Sequence, residues 1–83
     1  MQITIFSTTT CPYCKMLKDY LVQKNITYTE KMVDADDKVR EEMMAISGGF
    51  LGVPFIVIVK DGTQETVIGF DKGKINSLLG IQG

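Results

Sequence analysis

The sequence predicts an α/β fold: a four-stranded mixed sheet flanked by three helices, in the order β-α-β-α-β-β-α. Three observations predict it. A β-rich opening segment runs into an amphipathic helical pattern and then into a second β-rich segment, the signature of a parallel βαβ unit. A second helical pattern follows, bounded by acidic capping candidates and by Gly48-Gly49. Beyond it, two β-rich runs flank Lys60 to Thr63 with Asp61-Gly62 at the centre, the chemistry of an antiparallel hairpin.

Gln2 to Ser7 alternates poorly but is rich in Ile, Thr and Phe, the composition of a short strand covered on both faces. From Cys11 onward Met16, Leu17, Tyr20 and Leu21 recur at helical spacing, with Lys15, Lys18 and Asp19 turned away. The first helix is expected to bury that stripe until Asn25 stops it in the left-handed region. Ile26 to Met32 is the second strand, parallel to the first because a helix joins them. Asp34 or Asp36 caps a second helix whose Val39, Met43 and Ile46 share a face, with the Met43-Met44 pair read as core filler. Pro54 opens the third strand, Phe55 to Val59, where a proline needs no ladder hydrogen bond. The fourth strand runs from Glu65 to Gly69. A last helix, from about Asp71 to Leu79, is expected to bury Ile75, Leu78 and Leu79 before Gly80 ends it.

One domain accommodates residues 1–83, and a chain of this size buries only about 60 to 65% of its unfolded surface. Its 45% hydrophobic and 23% charged residues are those of an ordinary globular protein. Nine basic against ten acidic residues give a net charge of -1 and no broad cationic field, so neither nucleic acid nor a membrane surface is expected as a partner. The longest aliphatic run, Ile56 to Val59, falls far short of the roughly 18 apolar residues of a spanning helix. Met1 to Phe6 lacks the basic and apolar regions of a secretory leader. A cytoplasmic monomer is the expectation.

Both cysteines, Cys11 and Cys14, stand in the stretch TTCPYCKM at the junction of first strand and first helix. A Cys-x-x-Cys pair in a chain without a leader suits metal or redox chemistry. A structural zinc site takes four Cys or His ligands, which two cysteines and no histidine supply only in a dimer. The absence of histidine also removes a Cys-His hydrolytic pair. A free thiol, with a pKa near about 8.5, is only slightly ionised at neutral pH. In the first turn of a helix, unpaired N–H groups and the positive end of the dipole favour the anion, and Lys15 adds a cation nearby. Cys11 is therefore read as the nucleophile; lowering its pKa by about two units corresponds to about 2.7 kcal/mol. Cys14, one turn further in and more buried, is read as the resolving thiol. Pro12 presets φ and gives up an N–H that has no helical acceptor, and Tyr13 protrudes to line a substrate groove.

This element order, with a Cys-x-x-Cys at the switch from first strand to first helix, is that of the thioredoxin fold, and from Ile3 to Leu79 the chain resembles the glutaredoxin family. CPYC at Cys11 to Cys14 is similar to that family's dithiol site. GVP at Gly52 to Pro54 resembles its Thr-Val-Pro, whose proline is cis. The resemblance implies that Val53 pairs main chain to main chain with the backbone of a bound cysteinyl thiol while Pro54 shields Cys11. GFD at Gly69 to Asp71 is similar to the glycine-rich turn before the last helix, which implies a place on Gly69, Phe70 and Asp71 for the γ-glutamyl end of glutathione.

The departures from the family pattern concern glutathione. A lysine before the first cysteine and a charged or amide residue before Thr-Val-Pro are usual, and here those places read Ser7 to Thr10 and Gly49-Phe50-Leu51. An anionic ligand loses two charge-assisted hydrogen bonds, each worth about 1 to 3 kcal/mol. Phe70 stands where a second glycine is common, narrowing the approach, and Lys72 and Lys74 are the compensating cations on hand. Similar turns occur in glutaredoxin-like redoxins that serve ribonucleotide reductase and are re-reduced by thioredoxin reductase. The expected function is thus a dithiol thiol-disulfide oxidoreductase that reduces protein or mixed disulfides, without a bound organic cofactor, with glutathione or thioredoxin reductase as electron donor. The resemblance also admits an iron-sulfur carrier in which two copies share a cluster through Cys11, an arrangement that Pro12 disfavours.

Overall fold

The computed structural model describes residues 2–49 and 52–80, and within them the elements follow the predicted order. They are β1 (Gln2–Ser7), α1 (Pro12–Gln23), β2 (Thr29–Met32), α2 (Asp37–Ser47), β3 (Phe55–Lys60), β4 (Thr63–Ile68) and α3 (Lys72–Leu79). The sheet order is β2-β1-β3-β4, with β1 and β2 parallel and the other pairings antiparallel.

Period-two alternation divides the core between the two faces of the sheet. Ile3 and Ile5 of β1 and Ile56 and Ile58 of β3 point to one face, where Leu17, Tyr20 and Leu21 of α1 and Ile75 of α3 cover them. Phe6, Phe55 and Val57 point to the other, where Met43 of α2 covers them, and the Phe6 and Phe55 rings meet at 6.1 Å. Both faces of β1 and β3 are buried, which is why neither strand reads as a clean alternation of polar and apolar residues.

In α1 the inward stripe runs through Cys14, Leu17, Tyr20 and Leu21. Met16, expected in the core, is 51% exposed, because Cys14 and Leu17 hold the inward places in that turn. Asn25 takes the left-handed conformation (φ 58°), as expected of the residue that stops the helix. β2 is shorter than the run of β-formers: the Ile26 N–H closes the end of α1 on the Leu21 carbonyl at 2.9 Å, and pairing with β1 starts only at Thr29 opposite Thr4. Adjacent helical residues cannot both face inward, and so Met43 is fully buried while Met44 is 40% exposed.

Asp36, not Asp34, caps α2, its carboxylate accepting the Lys38 N–H at 2.9 Å. The β3–β4 turn places Asp61 and Gly62 at φ 53° and 78°, the pair of positive angles that a two-residue hairpin turn needs. Asp71 caps α3, Ile75 is buried, and Leu78 and Leu79 pack only partly against the core.

Replacing Asp36 by Ala should lower stability by about 1 kcal/mol, the usual worth of an N-cap. Urea unfolding is expected to show a lower midpoint with an unchanged slope.

Candidate active site

Strand register gathers the chemistry at one end of the sheet. Phe6 lies opposite Phe55, and Phe55 opposite Ile68, so the loops that follow β1 and β4 and precede β3 emerge side by side. Ser7 pairs with Met32, and the Val33 N–H donates to the Ser7 carbonyl at 2.9 Å, which adds the loop after β2. Gly69 N–H donates to the Pro54 carbonyl at 2.8 Å, fastening the turn before α3 to the proline loop.

At that end Cys11 is the N-cap residue of α1, with extended backbone, and its Sγ accepts the Cys14 N–H at 3.1 Å. Pro12 occupies the first turn. The two cysteines stand at disulfide distance, Cα to Cα 5.2 Å, but in unlike surroundings: Cys11 is half-buried, whereas Cys14 is only 1% exposed. A reagent from solvent therefore meets Cys11. Thr8 to Thr10, Lys15, Lys18 and Met32 line a groove of about 420 Å³ together with Cys11, Pro12 and Cys14. Tyr13, 62% exposed, projects into solvent and is not one of the residues lining this groove.

The Val53-Pro54 peptide is cis, as the resemblance implied, and Pro54 is buried while Val53 packs against the α2-side core. Phe70 is turned inward: its ring lies on Tyr20, centroids 5.8 Å apart, against the α1/α3-side core, and it is not one of the residues lining the groove. Asp71 spends one carboxylate oxygen on the Lys74 N–H as the cap of α3. Lys72 sits over the Tyr20 ring at 4.9 Å, and the Tyr20 hydroxyl donates to Asn76. Gly69 thus adjoins the proline loop and Asp71 caps α3 beyond it, while Phe70 and Lys72 pack on Tyr20. Phe50 and Leu51 lie outside the described residues.

Two polar contacts near the dithiol join residues far apart in sequence. Asp34 Oδ2 accepts both the backbone N–H and the hydroxyl of Thr9, at 3.0 and 2.7 Å, and these donors hold its carboxyl below the usual 3.8. The buried Ser7 hydroxyl donates to Glu30 at 2.8 Å and lies 3.2 Å from the Met32 sulfur. The same Glu30 oxygen meets the Lys18 ammonium at 2.7 Å. The Lys18 hydrogen bond, helped by Ser7, holds the Glu30 carboxyl below its usual 4.5 against the opposing effect of burial, and Glu30 in turn holds Lys18 above 10.5. The helical pattern put Lys18 among the outward residues of α1, and nothing in the sequence pairs it with Glu30 or Ser7. Among the described residues no group of three or more Cys, Asp or Glu side chains is placed to hold a metal ion, and no helix is long and apolar enough to cross a membrane.

A family model described as Glutaredoxin matches residues 3–63. A glutaredoxin-like 8.6 kDa protein in the rubredoxin operon of Clostridium pasteurianum is 46% identical over 77 residues, 93% of this chain and 96% of that one. Among solved structures, a mutant form of the thioredoxin-like protein BC3987 aligns with a TM-score of 0.81 at 30% identity, over 98% of this chain and 97% of that one. The NrdH-redoxin from Escherichia coli, described as a glutaredoxin-like protein with a thioredoxin-like activity profile, aligns at 0.76 and 27% identity over 94% and 95%. The four-stranded mixed sheet with its three helices is the thioredoxin fold.

A carboxyl whose pKa is lower in the folded than in the unfolded chain adds stability above its unfolded value and loses it as pH falls through the folded one. Glu30 and Asp34 should therefore stabilise fully above about pH 4.5 and lose that contribution below it. Lys18, raised, acts in the opposite sense and loses its part only above pH 10.5. Thermal melts from pH 7 to pH 3 are expected to show a falling midpoint on the acid side, with a shallower fall in Asp34→Asn.

Proposed function

The chain belongs to the glutaredoxin family, and from that premise we propose that it is a dithiol thiol-disulfide oxidoreductase working through Cys11 and Cys14. The observation that carries this reading is the asymmetry of the pair: one sulfur accessible at a helix N-cap, the other buried one turn away at bonding distance.

The reduced protein meets its substrate with Cys11 as thiolate, favoured by the first-turn N–H groups and the helix dipole. The thiolate attacks a substrate disulfide; one substrate sulfur bonds to Cys11 and the other leaves as a thiolate that takes a proton from water. Cys14 then loses its proton and attacks Cys11 Sγ, forming the intramolecular disulfide and releasing the second substrate sulfur. Two electrons have passed to the substrate, and an external reductant restores the dithiol. Val53 and Pro54 supply the strip against which the substrate backbone aligns, Gly69 and Asp71 extend it, and Tyr13 offers an exposed apolar ring to a protein partner. The exchange needs no bound organic cofactor.

For the reductant we propose a thioredoxin-reductase-type flavoprotein in preference to glutathione. The loop before Cys11 presents threonines in place of a lysine, and Thr9 is engaged by Asp34, whose low pKa keeps it anionic. A glutathione carboxylate approaching there meets like charge. The thioredoxin-like activity profile of the NrdH-redoxin, a structural relative, supports the same choice. Ribonucleotide reductase is the corresponding class of protein substrate.

Cys11→Ser is expected to abolish reduction of protein disulfides, and Cys14→Ser to accumulate mixed disulfides visible on non-reducing gels. NADPH oxidation should be faster with thioredoxin reductase than with glutathione plus glutathione reductase. An active Cys11→Ser protein would overturn the assignment, and equal or reversed rates would overturn the choice of donor.

A further inference from the structure

Along α1 each sulfur is followed four residues later by a lysine, Lys15 after Cys11 and Lys18 after Cys14, and residues at that spacing are neighbours on a helix surface. Both lysines line the groove beside the two cysteines. They are held differently. Lys15 is exposed, whereas Lys18 is drawn to the sheet by Glu30, with the two side chains only 29% and 28% exposed, and Glu30 is itself anchored by the buried Ser7 hydroxyl. Lys18 lines the groove; Glu30 and Ser7 do not. Of the pair, the cation is therefore the member that borders the groove shared with the two cysteines.

Resting on the reading of Cys11 and Cys14 as the working dithiol, we propose that Lys18, held in place by Glu30, is a positioned cation that stabilises Cys14 as a thiolate and so sets how readily the oxidised protein accepts electrons. In the reductive step an external thiolate attacks Cys11 Sγ. A sulfur–sulfur bond forms to the reductant, the Cys11–Cys14 bond breaks, and its electron pair departs on Cys14 Sγ. A second thiolate of the reductant then displaces Cys11; the reductant ends as its disulfide, and the two cysteines take protons from water according to their pKa values. A better-stabilised leaving thiolate departs faster. Cys14 is almost wholly buried, so water solvates its nascent charge poorly and a neighbouring ammonium counts for more than it would in bulk water.

Lys18→Met and Glu30→Gln separate this role from a structural one. Both delete the same ion pair, so a loss of packing moves them in the same direction. The first leaves an uncompensated anion beside the groove and the second an uncompensated cation, so electrostatic control moves them in opposite directions. Equilibration with dithiothreitol redox buffers at pH 7, with thermal melts to confirm folding, reads the difference. Lys18→Met should shift the exchange constant about three- to tenfold toward the disulfide, a potential about 15 to 30 mV lower, and Glu30→Gln should shift it the other way. Lys18→Arg should stay near wild type. Shifts of the same sign in Lys18→Met and Glu30→Gln, or none in Lys18→Met, overturn the proposal. Catalytic reduction of insulin by the wild-type protein is a separate arm: its absence overturns the oxidoreductase reading, whereas the ordering of the potentials alone decides the role of Lys18.

Discussion

The antiparallel register of β1 on β3, Phe6 opposite Phe55, is the constraint on which the site depends. A slip by one residue would turn Ile56 and Ile58 to the α2 side and Phe55 and Val57 to the other, sending every large side chain of the strand to a face shaped for its neighbours. Each such side chain is worth about 1.5 to 3 kcal/mol when fully buried, and both faces are filled, so the alternative pairing is excluded many times over. The register fixes where β1 ends relative to where β3 begins. That sets a helix start bearing two sulfurs and a cis-proline loop at the same end of the sheet, although the residues are some forty positions apart in the chain.

Local patterns carried most of the fold. Asn25, the hairpin turn at Asp61-Gly62, and the glycines ending α2 and α3 announce themselves because few residues tolerate the left-handed backbone those positions adopt. Helical periodicity found the stripe of α1 but put Met16 on it, since a pattern of spacings cannot tell which edge of the stripe turns away. The extent of β2 was overread for a related reason: β-forming residues say nothing about whether a neighbouring strand has reached them, and the Ile26 amide is already committed to the end of α1.

The site divides along the same line. Cys11, Cys14, Pro12 and Pro54 were legible because short motifs carry them. Ser7, Glu30 and Lys18, and Thr9 with Asp34, were not, because each contact joins elements that only the folded sheet brings together. Phe70 shows the complementary limit of a motif. A motif fixed its place in the chain but not the direction of its ring, which Tyr20 and the α1/α3-side core settled by offering it a buried surface. Around the dithiol, Lys15 and Lys18 border the groove, Glu30 is tied to Lys18 and to the buried Ser7, and Asp34 is tied to Thr9.

The sheet order leaves β2 and β4 as its two borders. A border strand carries unsatisfied amides and carbonyls able to recruit a foreign strand, and long, flat, apolar borders seed aggregation. Neither border here invites that: β2 has four residues, Glu30 and Lys31 among them, and the outermost β4 carries exposed Gln64 and Glu65. The carboxylate that holds Lys18 thus also sets a charge on an open border strand, which disfavours cross-β growth there.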